Sequence, residues 1–407
     1  MLNTRGHQQH SIQAQRQCSF TSVVFGALVI LIIILFASSC VNEDPSSTAS
    51  RDHRTAASST QNQTDPTEPP PTATLTITPT VTPSPDPTAT LSPTPIISMT
   101  PDFVVFDPGT LWQDVEPGIY NQDTCEYIRN RWDPEKSSPG TIVAPFMFHS
   151  IRGSGRPMPD EASITEEYFD AFVQHALELG FETITTDQLI DFLESNAPIP
   201  KRSMIMILDD RRPGVTEFIM PYLEENQWTL TLGWIIEDQR QYLWDWMERL
   251  ASTGMLDVQS HGYWHRYIVD ETPEEQIIEE LYEPIPILED HFGERPYAFI
   301  WPGGNFTSRS VEIAREAGYR IGFSSFTHGP IMFNWIPQKE KEQLIGDPLM
   351  SLPRYWGITA WINLDQTVQI SEMAIEHACQ QYPLEASWYQ NTCGEKLPPL
   401  SSFNICQ

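Results

Sequence analysis

Residues 204–214 read MIMILDDRRPG, five apolar side chains running without a break into the adjacent carboxylates of Asp209 and Asp210. An unbroken apolar run of this length, followed by the turn-forming Pro213-Gly214, predicts a strand buried on both faces, as in parallel sheets. Successive side chains of a strand point to opposite faces, so the two carboxylates at its tip are expected to have different jobs. An Asx-type turn closing the strand would ask no chemistry of them.

Outward from this strand the chain alternates between apolar runs and amphipathic stretches. IVAPFMF (142–148) reads as a buried strand, and Phe169, Phe172, Val173, Ala176 and Leu177 follow at helical spacing, with SITE (163–166) resembling a capping box. Leu189, Ile190 and Leu193 share one face of a short helix before the 204–208 strand. Strands are expected at TLTLGWI (229–235), MLDVQ (255–259), YAFIW (297–301) and RIGFSSF (320–326), with a last extended piece at SLPRYW (351–356). Helices are expected around 241–250, from about 273 to 291, and at 308–318. Repeated strand–helix units imply an α/β fold with a parallel sheet, either a barrel or a doubly wound sheet. Chemistry in a barrel collects where strands end, and His149, Asp209-Asp210, His261 and Trp301-Pro302 all stand at such ends.

The first hundred residues are of another kind. The apolar segment 23–37 is preceded by Arg5 and Arg16 and closed by ASSC at Cys40, so residues 1–40 are expected to be an export signal. Small residues before a cysteine resemble a lipobox, which would make Cys40 the site of lipidation and the protein a membrane-anchored lipoprotein of the cell surface. Ala37 departs from the leucine usual in that pattern, and an uncleaved signal anchor is the alternative. Residues 41–101 are dominated by Thr, Pro and Ser and read as a disordered tether. Residues 102–140 are expected to form an N-terminal extension, 141–365 the main folded domain and 366–407 a cysteine-containing C-terminal tail. A net charge of −30 with no basic cluster argues against a nucleic-acid partner. Cys125, Cys379, Cys393 and Cys406 lie in the exported portion without a CxxC pair, which favours disulfides over a zinc cluster. Four cysteines allow three pairings, and at least one bridge should fasten the N-terminal segment or the tail.

HGYWH (261–265) places His261 and His265 four residues apart, so that on a helical turn both imidazoles share a face. A catalytic metal site needs three protein ligands and an open position, and Asp210 at a neighbouring strand tip is the candidate third. Imidazole and carboxylate ligands suit Zn²⁺, Co²⁺ and related ions.

The ordered set Asp209-Asp210, HGYWH, FIWPGG (299–304), APFMFHSI (144–151) and SLPR (351–354) resembles the polysaccharide deacetylases of carbohydrate esterase family 4, the NodB-homology domains. The strand before His149 and the SLPR motif resemble the circularly permuted branch, which includes poly-N-acetylglucosamine deacetylases. The resemblance covers about 220 residues and implies a distorted (β/α) barrel and removal of N-acetyl, or O-acetyl, groups from a polysaccharide. It implies that Asp210, His261 and His265 hold the metal and that Asp209 is the base activating the attacking water. His149 would be the acid, with His328 as substitute, and Arg354 would orient Asp209. The Gly303 amide would serve the oxyanion, and Trp264 and Trp301 would stack on sugar rings. Leu208, Arg211 and Gly262 depart from the family's usual residues; Gly262 replaces a Ser or Thr that steadies the metal loop, and Ser260 is a candidate substitute. A catalytically idle carbohydrate-binding module on the same barrel is the alternative reading. A glycoside hydrolase suits the sequence poorly, since its carboxylates stand roughly 5–9.5 Å apart across a bond.

Overall fold

The 204–208 run forms most of the strand Arg202–Leu208, which lies inside an eight-stranded, wholly parallel sheet. A computed structural model describes residues 103–406, apart from 113, 114, 154, 157–159, 161, 211, 238 and 239. The expected signal segment, Cys40, the tether and Arg211 lie outside the described residues.

Sheet order is Ile321–Phe323, Ala298–Ile300, Leu256–Ser260, Leu230–Trp234, Arg202–Leu208, Ile142–Phe148 and Tyr355–Trp356, with Glu182–Thr183 also paired to the 202–208 strand. The physical reason for the continuous apolar run is that both faces of the strand are covered. Met204, Met206 and Leu208 join Phe169 and Phe172 of the helix Glu166–Glu178 in one cluster, whereas Ile205 and Ile207 join Val143, Ile300, Phe323 and Leu352 in another. Residues from opposite sides of the sheet meet in this second cluster, so the sheet curls around it.

One short segment links the two edges. Leu352 bridges Phe323, donating to Gly322 O and accepting from Ser324 N–H at 2.8 Å each, and three residues later Tyr355 pairs with Phe146. Arg354 is thereby carried between the edge strands.

Several elements differ from expectation. Helix 166–178 is capped by Thr165, whose side chain accepts from Tyr168 N–H, while Ser163 lies in a strand and donates to Asp160. The single helix expected over 273–291 is two, Glu274–Tyr282 and Pro284–Phe292, because Pro284 has no N–H to continue the ladder and its ring crowds the preceding turn. The expected boundary at 365 falls inside a continuous helix, Ala360–Thr392. Disulfides Cys125–Cys393 and Cys379–Cys406 tie this helix to the helix Thr124–Arg131 and to the chain end. Ile128, Trp132, Ala378, Tyr389 and Phe403 pack together there, so the extension and the tail form one buried cluster. No helix among the described residues is long and apolar enough to cross a membrane.

Candidate active site and metal centre

All the polar residues expected at strand ends lie at the carboxyl end of the parallel sheet. His149 and Asp209 directly follow the strands Ile142–Phe148 and Arg202–Leu208, and Asp209 N–H extends their pairing by donating to Phe148 O at 2.8 Å. His261 directly follows Leu256–Ser260.

The two aspartates do not diverge as a continued strand would require. Asp210 adopts a left-handed conformation, φ 67°, which Asp tolerates better than most residues and which ends the strand. Its carboxylate turns back beside that of Asp209: His261 Nε2 lies 3.9 Å from Asp209 Oδ2 and 3.9 Å from Asp210 Oδ1. His265 Nε2 is 3.8 Å from the same Asp210 oxygen, and His265 is itself left-handed at φ 61°. Such conformations persist where the surroundings over-determine them, commonly at functional sites.

Asp210, His261 and His265 offer ligand atoms all within 4.8 Å of one another, and their surroundings fit a cation. His261 is buried, and its Nδ1 lies 2.7 Å from Ile300 O. A carbonyl can only accept, so Nδ1 carries the proton, and the neutral ring presents a bare Nε2 to the other two ligands. Burial, reinforced by the neighbouring His265, pushes the His261 pKa down to about 4 against the pull of Asp209, so the ring is neutral at pH 7. The set of one carboxylate and two imidazoles, partly exposed on the Asp210 and His265 side, is of the open catalytic type.

Asp209 is 2% exposed. Arg354 Nη1 donates to its Oδ1 at 2.6 Å, while Arg354 Nε is held by Ser324 O at 2.7 Å. Burial pushes the Asp209 carboxyl up, but its electrostatic partners, the Arg354 guanidinium first among them, outweigh it and hold the pKa at about 2. Oδ2 faces the site, 3.5 Å from His149 Nε2. The His149 ring stacks on Trp356, with centroids 5.9 Å apart.

Gly303 also has positive φ, 60°, and its N–H has no acceptor among the described residues. It borders Tyr267, whose ring neighbours His265. Trp264 is 43% exposed in the loop between the two histidines. Trp301 departs from expectation: it is fully buried, packs on Phe299 and donates to Met350 O, so neither ring face is open to a sugar. Strand alternation holds the clue, because Trp301 shares the face of Phe299 and not that of Ile300. His328, the substitute acid, is engaged by Glu342 at 2.8 Å and stacks on Phe326.

Three residues of the site escaped sequence reasoning. Trp356 backs His149; Arg212 donates to Asp210 Oδ2 at 2.6 Å; and Glu280 accepts from the N–H of Trp264. Arg212 lowers the Asp210 carboxyl against the upward push of burial.

Residues 196–322 match the family model described as polysaccharide deacetylase. The span includes Asp209, Asp210, His261, His265 and Gly303, whereas His149 and Arg354 lie outside it and reach the site through the fold. Solved structures similar to this chain include the Streptococcus pyogenes deacetylase PplD in complex with acetate, at 17% identity over 57% of this chain and 99% of that one, with a TM-score of 0.47. A de-N-acetylase from Aggregatibacter actinomycetemcomitans is 14% identical over 53% of this chain and 94% of its own, with a TM-score of 0.44. IcaB from Ammonifex degensii is 17% identical over 56% and 100%, with a TM-score of 0.43. None of the curated proteins matches this chain in sequence.

Proposed function

We propose that this chain, which carries a polysaccharide deacetylase match over residues 196–322, is a metal-dependent hydrolase that removes acetyl groups from the amino sugars of an extracellular polysaccharide. The observation that carries the reading is the convergence of Asp210, His261 and His265 beside an aspartate with one oxygen held by Arg354 and the other facing a histidine. Those three residues would hold a divalent ion such as Zn²⁺ or Co²⁺, which would supply Lewis-acid chemistry toward the attacking water and the acetyl carbonyl.

The chain's own groups do the rest. Arg354 fixes Asp209 so that Oδ2 accepts the proton of the attacking water. The oxygen of that water bonds to the acetyl carbon, and the Gly303 N–H donates to the oxyanion that develops on the former carbonyl oxygen. His149, protonated, delivers its proton to the sugar nitrogen as the carbon–nitrogen bond breaks, leaving acetate and a free amine. Trp264 offers an exposed ring to the sugar.

The exported location and the lipid anchor at Cys40 are part of the same proposal, supported by the apolar segment 23–37 and the small residues before the cysteine. Arg212 is the observation that favours an idle carbohydrate-binding module, since it occupies one oxygen of Asp210. Asp210 Oδ1 still faces both histidines, and the hydrolase reading is preferred on that ground. Acetate release from N-acetylated glycans and O-acetylated xylan, assayed with chelator and with added Zn²⁺ or Co²⁺, tests it. Metal-dependent acetate is expected from at least one N-acetylated polymer; sugar binding without acetate under every condition would favour the idle module.

A further inference from the structure

The loop that carries both histidines is held by a carboxylate from outside it. Glu280, on the helix Glu274–Tyr282, has no exposed surface, and its two oxygens accept from Trp264 N–H at 3.0 and 3.2 Å. Arg266 Nη1 lies 3.7 Å from Glu280 and donates to Glu279 at 2.5 Å. A fully buried carboxylate is costly, and its acceptor bonds to the loop, together with the Arg266 charge, compensate it.

Gly262 shows how closely the loop is built around this group. Its φ is 86°, and a Cβ added there would overlap Glu280 Oε2. On the other side the loop is pinned through its carbonyls: Ile236 N–H donates to Gly262 O at 3.2 Å and Glu237 N–H to Tyr263 O at 2.7 Å. The Ser260 hydroxyl also accepts from Gly262 N–H, at a longer 3.3 Å. His265 directly follows the N–H that Glu280 captures, and it sits in a left-handed conformation that needs support from its surroundings.

We infer that Glu280 is a positioning residue of the metal centre, holding the 262–264 backbone so that His265 Nε2 meets Asp210 and His261, and that Gly262 is the space left for it. This inference rests on the proposed metal site. Outer partners that orient metal ligands typically carry 10–100-fold in metal affinity.

The test is Zn²⁺ affinity, measured by competition with a chromophoric chelator, alongside the melting temperature of the metal-free protein. Wild type, Glu280→Gln, Gly262→Ala and Glu275→Ala are compared, the last being an exposed neighbour on the same helix. Glu280→Gln keeps the volume but brings an amide NH₂ toward N–H donors, and it should weaken Zn²⁺ by about 10–100-fold. Gly262→Ala should weaken it at least as much, and Glu275→Ala should leave it unchanged. Addition of Gly262→Ala to Glu280→Gln should cost less than the sum of the two, because both act at one contact. Should Glu280→Gln melt lower yet bind Zn²⁺ as tightly as wild type, Glu280 is merely structural and the inference is overturned while the metal site stands. A wild-type chain that binds no Zn²⁺ overturns both.

Discussion

Arg354 and Asp209, 145 residues apart in the chain, form a buried ion pair in which Nη1 donates to Oδ1 at 2.6 Å. The pair exists because the 352–356 segment links the two edges of the sheet and carries the guanidinium to the tip of the 202–208 strand. Its consequence is that one Asp209 oxygen is committed to Arg354 while the other faces His149.

Removal of Arg354 leaves a buried carboxylate without its main partner. Arg354→Ala is expected to cost about 3–5 kcal/mol of stability, read from urea unfolding at pH 7. A loss below about 1 kcal/mol would contradict the buried-pair account.

Asp209 also sets a pH dependence. Its carboxyl lies at about 2 in the folded protein against an ordinary 3.8, so the unfolded chain takes up the proton first as pH falls. The stabilisation is fully present above pH 3.8 and is lost as pH drops through about 2. It amounts to about 2 kcal/mol. The difference in unfolding free energy between wild type and Asp209→Asn should therefore shrink across that window. A difference that stays constant from pH 5 to pH 2 would show that Asp209 is not held ionised.

His149 and Asp209 are distinguishable by the leaving group. His149→Ala should lower turnover of an N-acetylated sugar by roughly 10²–10⁴, the usual worth of a positioned proton donor, with metal content unchanged. It should lose much less on an activated ester, whose leaving group needs no proton. Asp209→Asn should impair both substrates. Equal losses for His149→Ala on the two substrates would remove it from the role of acid.

The cysteine pairing carries a prediction separate from the site. Cys125–Cys393 joins residues 268 apart, and its removal by serine at both positions should cost about 2–5 kcal/mol in thermal unfolding while Zn²⁺ affinity is kept. Loss of metal binding in the folded double variant would mean that the cluster shapes the active site as well.

Cys40→Ser should release the protein from the membrane fraction or leave an uncleaved precursor. An unchanged mass and an unchanged membrane fraction would instead support an uncleaved signal anchor.

Much of this was legible because the chemistry sits where strong patterns end. The 204–208 run announces a doubly buried strand, and two carboxylates at its tip cannot belong to that core. Contacts that depend on closure were harder to read. That Trp356 backs His149 follows from where the 352–356 segment crosses the sheet edge, which no local pattern reports. Glu280 did leave a trace: Ile277, Glu280 and Leu281 share the buried face of one helix, and an acid on such a face signals a polar partner inside. The helix over 360–392 went unread because Pro383 and its many polar residues blur the apolar stripe that would mark it.

Deacetylation is proposed to depend on an ion held by Asp210, His261 and His265. The most direct test measures metal-to-protein ratio and acetate release on the same preparations of wild type and Asp210→Ala. About one ion per chain and metal-dependent acetate release are expected for wild type, and loss of both in Asp210→Ala, since two remaining ligands are too few for a site of this kind. An Asp210→Ala protein that keeps its ion, or a metal-free wild type that releases acetate at the full rate, would contradict it.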